Sequence, residues 1–271
     1  APPPRRAPFV LGESLSDVGN AAGMADYLLN VVLRPPTVGL CHPADVLMLS
    51  RVCSDLFYRQ NRVSDGPVAV GHLAMRLGLP ELEPSLHLVP GRPSQGTVYA
   101  IASAKARGQR DEDFGRQVDW LLLDHAPLPA DAVYMIMIGG NDAIDALQVN
   151  VASPAPHPRP GAPVVTAAVG AIGDNVERLL GLGARRLVVA NVPDLATLPA
   201  VRSAARVSPN ETAVLAEASA ISASFARELD ERLDAIEARA QWLAPTPHVI
   251  ERFDLRAALA AAQQATAARG G

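Results

Sequence analysis

Aromatic side chains are scarce in this chain of 271 residues, at 4%, so its core has to be assembled mostly from Leu, Val, Ile and Ala. Cysteine is scarcer still, with Cys41 and Cys53 the only two. Their spacing leaves two readings open: a bridge closing a small loop, worth roughly 2–4 kcal/mol, or a pair of free thiols. No Cys/His cluster has the spacing of a zinc site, and no glycine-rich phosphate loop occurs, so no metal and no cofactor is expected. No apolar run reaches the roughly 18–20 residues of a membrane span. The net charge is −4 with Lys and Arg scattered, which is not the footprint of a nucleic-acid binder. The chain opens APPPRR without a Met, as a processed, trimmed or fragmentary product would. Nothing in the pattern bears on oligomeric state.

What is present is apolar material in quantity, 49% hydrophobic against 19% charged residues. That suits a substantial core and one domain over 1–271, without a convincing internal boundary. Short apolar runs ending at Gly, Asn or Asp predict strands in PFVLG (8–12), VYMIMIGGND (133–142), RRLVVANVPD (185–194) and HVIERFDL (248–255). Helical periodicity lies between them. GPVAVGHLAMRLGL (66–79) places Val68, Leu73 and Leu77 on one face. DFGRQVDWLLL (113–123) and TAAVGAIGDNVERLLGLG (166–183) read as helices. At SPNE (208–211), Ser208 is the expected N-cap and Glu211 the other half of a capping box. The helix that follows buries Val214, Ala218, Ile221, Phe225, Leu229 and Leu233. The Pro-rich stretch 150–165 reads as a surface loop. Strands of this buried type alternating with such helices imply a parallel sheet covered on both faces, a three-layer α/β/α sandwich.

In such sheets ligands bind beyond the carboxyl ends of the strands. Ser14, Asn141 and Asp194 each follow an apolar run, so all three are expected at one rim. Alone, each has a plain structural role: Ser14 as a helix N-cap, Asn141 in an Asx-turn, Asp194 as a loop or capping residue. Asp17 and Asn20 read as residues that satisfy the backbone of the corner.

Taken in order, GESLSDVGN (12–20), MIGGND (137–142) and VVANVPDLATLP (188–199) resemble the blocks of the SGNH, or GDSL, esterase and lipase family. NRVSDGPVAVGHLAMRLGLP (61–80) and GTVYAIASAKARG (96–108) extend the likeness, which runs from about residue 8 to about 260. The resemblance implies an SGNH-hydrolase, flavodoxin-like fold and a serine ester hydrolase working through an acyl-enzyme on Ser14. It implies an oxyanion hole from the Ser14 N–H, a backbone N–H at Ala102 or Ser103, and the Asn141 side chain. A small or lipid-like ester is the implied substrate, and a secreted or periplasmic location goes with the family's habit and the Ala-Pro start.

Three departures stand out. Glu13 replaces the Asp of the first block, which keeps the charge but moves the carboxylate. Ala102 and Ser103 replace a glycine pair, adding Cβ atoms where positive φ is wanted. The Asp-x-x-His block that supplies the family's base is absent. The six histidines, His42, His72, His87, His125, His157 and His248, follow Gly39, Ala69, Pro84, Leu122, Pro154 and Pro245 at that spacing. After HVIERFDLRAAL (248–259) only an Ala-rich tail remains. The chain is then either incomplete at its C-terminus or a degenerate, non-catalytic binding member. A substitute base is the remaining reading, with His248 as its candidate, although a histidine opening a strand falls at the rim opposite the serine. His42 and His157 read as solvated loop residues.

Overall fold

The computed structural model describes residues 7–21, 67–89, 91, 96–152, 161–243 and 248–268. Cys41, Cys53, His42 and His157, and the readings attached to them, lie outside these residues. Four strands form the sheet: β1 (Phe9–Gly12), β2 (Val133–Met137), β3 (Arg186–Ala190) and β4 (Val249–Phe253), in that spatial order. Every pairing is parallel, with Phe9 opposite Tyr134, Val133 opposite Arg186 and Arg186 opposite Val249. All four carboxyl ends therefore share one edge.

Seven α-helices are described: α1 (Ala69–Arg76), α2 (Phe114–His125), α3 (Gly140–Ala152), α4 (Ala162–Gly181), α5 (Pro199–Arg206), α6 (Glu211–Leu243) and α7 (Leu255–Ala268). On one face of the sheet Leu11, Tyr134, Ile136, Leu187 and Val189 meet Phe114 and Leu121 of α2, Ile172 and Leu179 of α4, and Phe225 of α6. Each such side chain withdrawn from water contributes roughly 1.5–3 kcal/mol. On the other face Val10 packs with Val70 and Ala74 of α1, and Met137 and Ala190 with Leu255 of α7. Helices on both sides make the α/β/α sandwich that the strand and helix pattern predicts.

Two local expectations shift. In α1 the buried residues are Val70 and Ala74, while Leu73 and Leu77 are exposed. The helix turns a small-residue stripe to the sheet, where close approach is what packing there requires. In α6 the cap is Asn210, whose side chain accepts the Ala213 N–H at 3.3 Å. Ser208 instead takes the Asn210 N–H, one turn earlier. The apolar series Ala218, Ile221, Phe225, Leu229 and Leu233 is buried as its period predicts, while Val214, in the helix's first turns, is only half-buried.

The chain's path decides where a ligand can sit. After β1 it crosses to the far side of that strand, where Val98 bridges Val10 and Pro84 bridges Val98. It then returns to the near side for β2. Strand order thus reverses at β1, and in such sheets it is at the carboxyl end of the strand where the order reverses that ligands bind. That end is Gly12, two residues before Ser14.

Candidate active site

Gly12 closes β1 against β2 so tightly that a Cβ there would stand 2.2 Å from the Met137 carbonyl oxygen. Its own peptide groups are gripped by Gln117 of α2, whose Oε1 accepts the Gly12 N–H and whose Nε2 donates to the Gly12 carbonyl, both at 2.8 Å. The chain then turns. Ser16 and Asp17 both donate to the Glu13 carbonyl, at 2.9 and 3.1 Å, so Ser14 is the first residue of a single helical turn. Its side chain is half-buried, and Leu15 stands out at the tip.

Four carboxyls hold this corner to its neighbours. Asp17 accepts the N–H groups of Gly19, Asn20 and Ala21, and with Oδ2 that of Ala102 at 2.9 Å. Burial raises its pKa, and those N–H bonds oppose the shift. Asn20 donates to the carbonyls of Val98 and Ala100. Asp17 and Asn20 therefore satisfy backbone, as their place in the motif suggests. Asp113 takes the N–H groups of Lys105 and Arg110. Asp142, on the first turn of α3, takes that of Ala106 at 2.7 Å, and burial raises its pKa as well.

Glu13 is the fourth. Its Oε2 accepts both the backbone N–H of Asn141 at 3.2 Å and the Asn141 side-chain N–H at 3.0 Å. The carboxyl of the first motif thereby caps the N-terminus of α3, where positive partial charge gathers. Burial lifts its pKa from 4.5 to about 7; the Asn141 N–H lowers it and the Asp142 charge adds to the rise. Gly140 makes room, since a Cβ there would lie 2.4 Å from Glu13 Oε1.

The sequence-derived residues divide between places. Ser14, Asn141 and Asp194 follow β1, β2 and β3 and share the carboxyl edge. Asp194 caps a 3₁₀ turn by accepting the Ala196 N–H, and also takes the Ser219 hydroxyl at 2.8 Å. It is a capping residue, as expected. In the second block the Ala102 N–H is committed to Asp17. Ser103 adopts φ +70°, the left-handed conformation that favours glycine, and its carbonyl accepts from Arg110 at 2.8 Å.

The described histidines lie elsewhere. His72 is exposed on α1, His87 pairs with Asp124, and His125 meets Phe9 at the start of β1 in a tilted ring contact. His248 immediately precedes β4, so roughly 16 Å of strand separates it from the carboxyl edge. As the substitute base it is out of reach of Ser14, because a parallel sheet puts strand starts and strand ends at opposite rims.

Gln117 and Asp142 carry no motif signal as site residues. Gln117 occupies an apolar-face position of α2 beside Phe114, Val118 and Leu121, and a polar residue in that register is the one clue available. Asp142 is legible only as an acid in a helix's first turn.

A serine after a glycine-ended strand at the switch point of a parallel α/β sheet, with an asparagine opening the helix after the next strand and tied to Glu13, makes this an α/β sandwich of the SGNH type. The GDSL-like Lipase/Acylhydrolase family model matches residues 9–253, and the chain belongs to that family. It is also similar to "Inactive GDSL esterase/lipase-like protein 25" of Arabidopsis thaliana, at 26% identity over 204 residues. That match covers 72% of this chain and 44% of the relative, so the chain spans less than half the relative's length.

Proposed function

We propose that the chain carries the nucleophile side of a carboxylic ester hydrolase, in which the Ser14 hydroxyl attacks the ester carbonyl and an acyl-enzyme forms. What supports this is the corner itself: Ser14 opens a turn at the carboxyl end of β1, and Glu13 ties that turn to Asn141. The tetrahedral oxyanion is held by the Ser14 N–H, the Ser103 N–H and the Asn141 amide, with Asp17 fixing the second-block segment through Ala102. Donors set before the charge develops stabilise it more than water can. The substrate class is a small or lipid-like ester. A secreted or periplasmic location goes with this reading; among the described residues no helix is long and apolar enough to cross a membrane.

A second reading has a specific observation behind it. No hydrogen bond joins a described histidine to Ser14, and a serine without a base is a poor nucleophile. The same corner then serves a binding protein that holds an ester without turning it over. A p-nitrophenyl acetate and butyrate assay beside Ser14→Ala separates the two. The esterase reading expects a burst lost in Ser14→Ala, a fall on the order of 10³-fold or more. Equal background in both proteins selects the binding reading.

A further inference from the structure

Asn141 is more tightly held than an oxyanion donor should be. Its side-chain nitrogen donates to Glu13 Oε2 at 3.0 Å and to the Ala104 carbonyl at 2.9 Å. A primary amide has two N–H bonds, so both are in use. Both partners are acceptors, which fixes the nitrogen toward them whatever the ambiguity of amide orientation. Glu13 is buried, 6% exposed, and its other oxygen fills the space that Gly140 leaves by lacking a Cβ. The start of α3 is thus shaped around this carboxyl. The Ala102 N–H is engaged in the same way by Asp17.

We propose that the anion pocket beside Ser14 is self-occupied: Glu13 and the Ala104 carbonyl together hold the Asn141 amide closed, and an oxyanion is accepted only when one of those bonds is released. Glu13 is a positioning residue acting through Asn141. Its carboxyl is directed at α3, and no hydrogen bond joins it to the Ser14 hydroxyl. A neutral ester carbonyl matches the Ala104 carbonyl at best as an acceptor, whereas a developing oxyanion exceeds it. The arrangement therefore gives little to the bound ester and reserves Asn141 for the charged state. The functional consequence rests on the esterase reading of Ser14; the closed amide does not.

The test uses the whole chain and two readouts at one pH, for wild type, Glu13→Asp and Glu13→Gln. The first is solvent exchange of the Asn141 side-chain amide by nitrogen-15 NMR. The second is the rate at which a fluorophosphonate labels Ser14. Glu13→Asp withdraws the carboxyl by one methylene, so exchange and labelling should both accelerate by roughly tenfold, the effect of one lost hydrogen bond. Glu13→Gln keeps the length but weakens the acceptor, giving a smaller change in the same direction, and stands in if Glu13→Asp fails to fold. Exchange already as fast in wild type as in the variants overturns the closed amide. Faster exchange without faster labelling overturns its control of the pocket. Absence of label on Ser14 in every protein removes the nucleophile reading, and the exchange rates alone then decide whether the amide is held.

Discussion

Two regions of this molecule use carboxylates for opposite ends. At the carboxyl rim Glu13, Asp17 and Asp142 are buried and accept backbone N–H groups from distant segments. They assemble a corner around a serine. Lower on the same face, Asp124 accepts the Tyr99 hydroxyl at 2.6 Å and stands 2.6 Å from His87 Nε2. There the His87 ring stacks on Trp120 at 5.2 Å and on Tyr99 at 5.7 Å. Gln117, level with Gly12, and Asp124 lie on one helix seven residues apart, roughly 10 Å along its axis. The serine and this histidine–aspartate pair thus sit on one helix's reach but do not meet. A histidine beside an aspartate is a general base only when its free nitrogen faces the nucleophile. Here the pair knits together a chain poor in aromatics, at the place where several of them gather.

The sharpest way to break the comparison is at the corner. Gly12→Ala drives a Cβ onto the Met137 carbonyl, and neither backbone can yield without parting β1 from β2. Its expected loss is on the order of 4 kcal/mol in chemical denaturation, with Ser14 labelling lost alongside.

A second effect is read against pH. A carboxyl whose pKa is higher folded than unfolded holds its proton better in the folded state. For Glu13, lifted from 4.5 to about 7, stability is greatest below the lower value, falls as pH rises between the two, and is flat above. The drop is about 3 kcal/mol and should appear in the difference between wild type and Glu13→Gln, which lacks the titrating group, when that difference is followed from pH 4 upward in urea melts. A wild-type curve parallel to that of Glu13→Gln would remove the shift. Asp17 and Asp142 shift in the same direction and are common to both proteins, so they cancel.

The smallest effect is expected at the other region. His87→Gln should lower stability by about 1 kcal/mol through lost stacking and one hydrogen bond. It should leave fluorophosphonate labelling of Ser14 within about twofold, since distant sites act independently. A large fall in labelling would join the two regions after all.

Much of the frame is legible in sequence because its signals are local. β1, β3 and β4 fall within the apolar runs that predict them, and α6 buries the residues its period selects from Ala218 to Leu233. The likeness of the motif blocks places Ser14 and Asn141 before any coordinates exist. The exceptions are all contacts made at a distance. Gln117 meets Gly12 across 105 positions and Glu13 meets Asn141 across 128, and no local pattern encodes either. The face of α1 is misread for a related reason: Leu73 and Leu77 are the larger apolar residues, but the sheet accepts the smaller stripe.

The sequence by itself determined a parallel α/β sandwich, a serine at the end of its first strand and an asparagine at the end of a second. Alternating apolar runs and a short motif suffice for those, because each is written within a few neighbouring residues. Only the tertiary structure decided what Glu13 does with its extra methylene, which N–H groups around Ser14 are already taken, and that His87 and His248 lie away from it. Those outcomes depend on which buried acceptor finds which donor once the strands are side by side, and that pairing exists only in the folded chain.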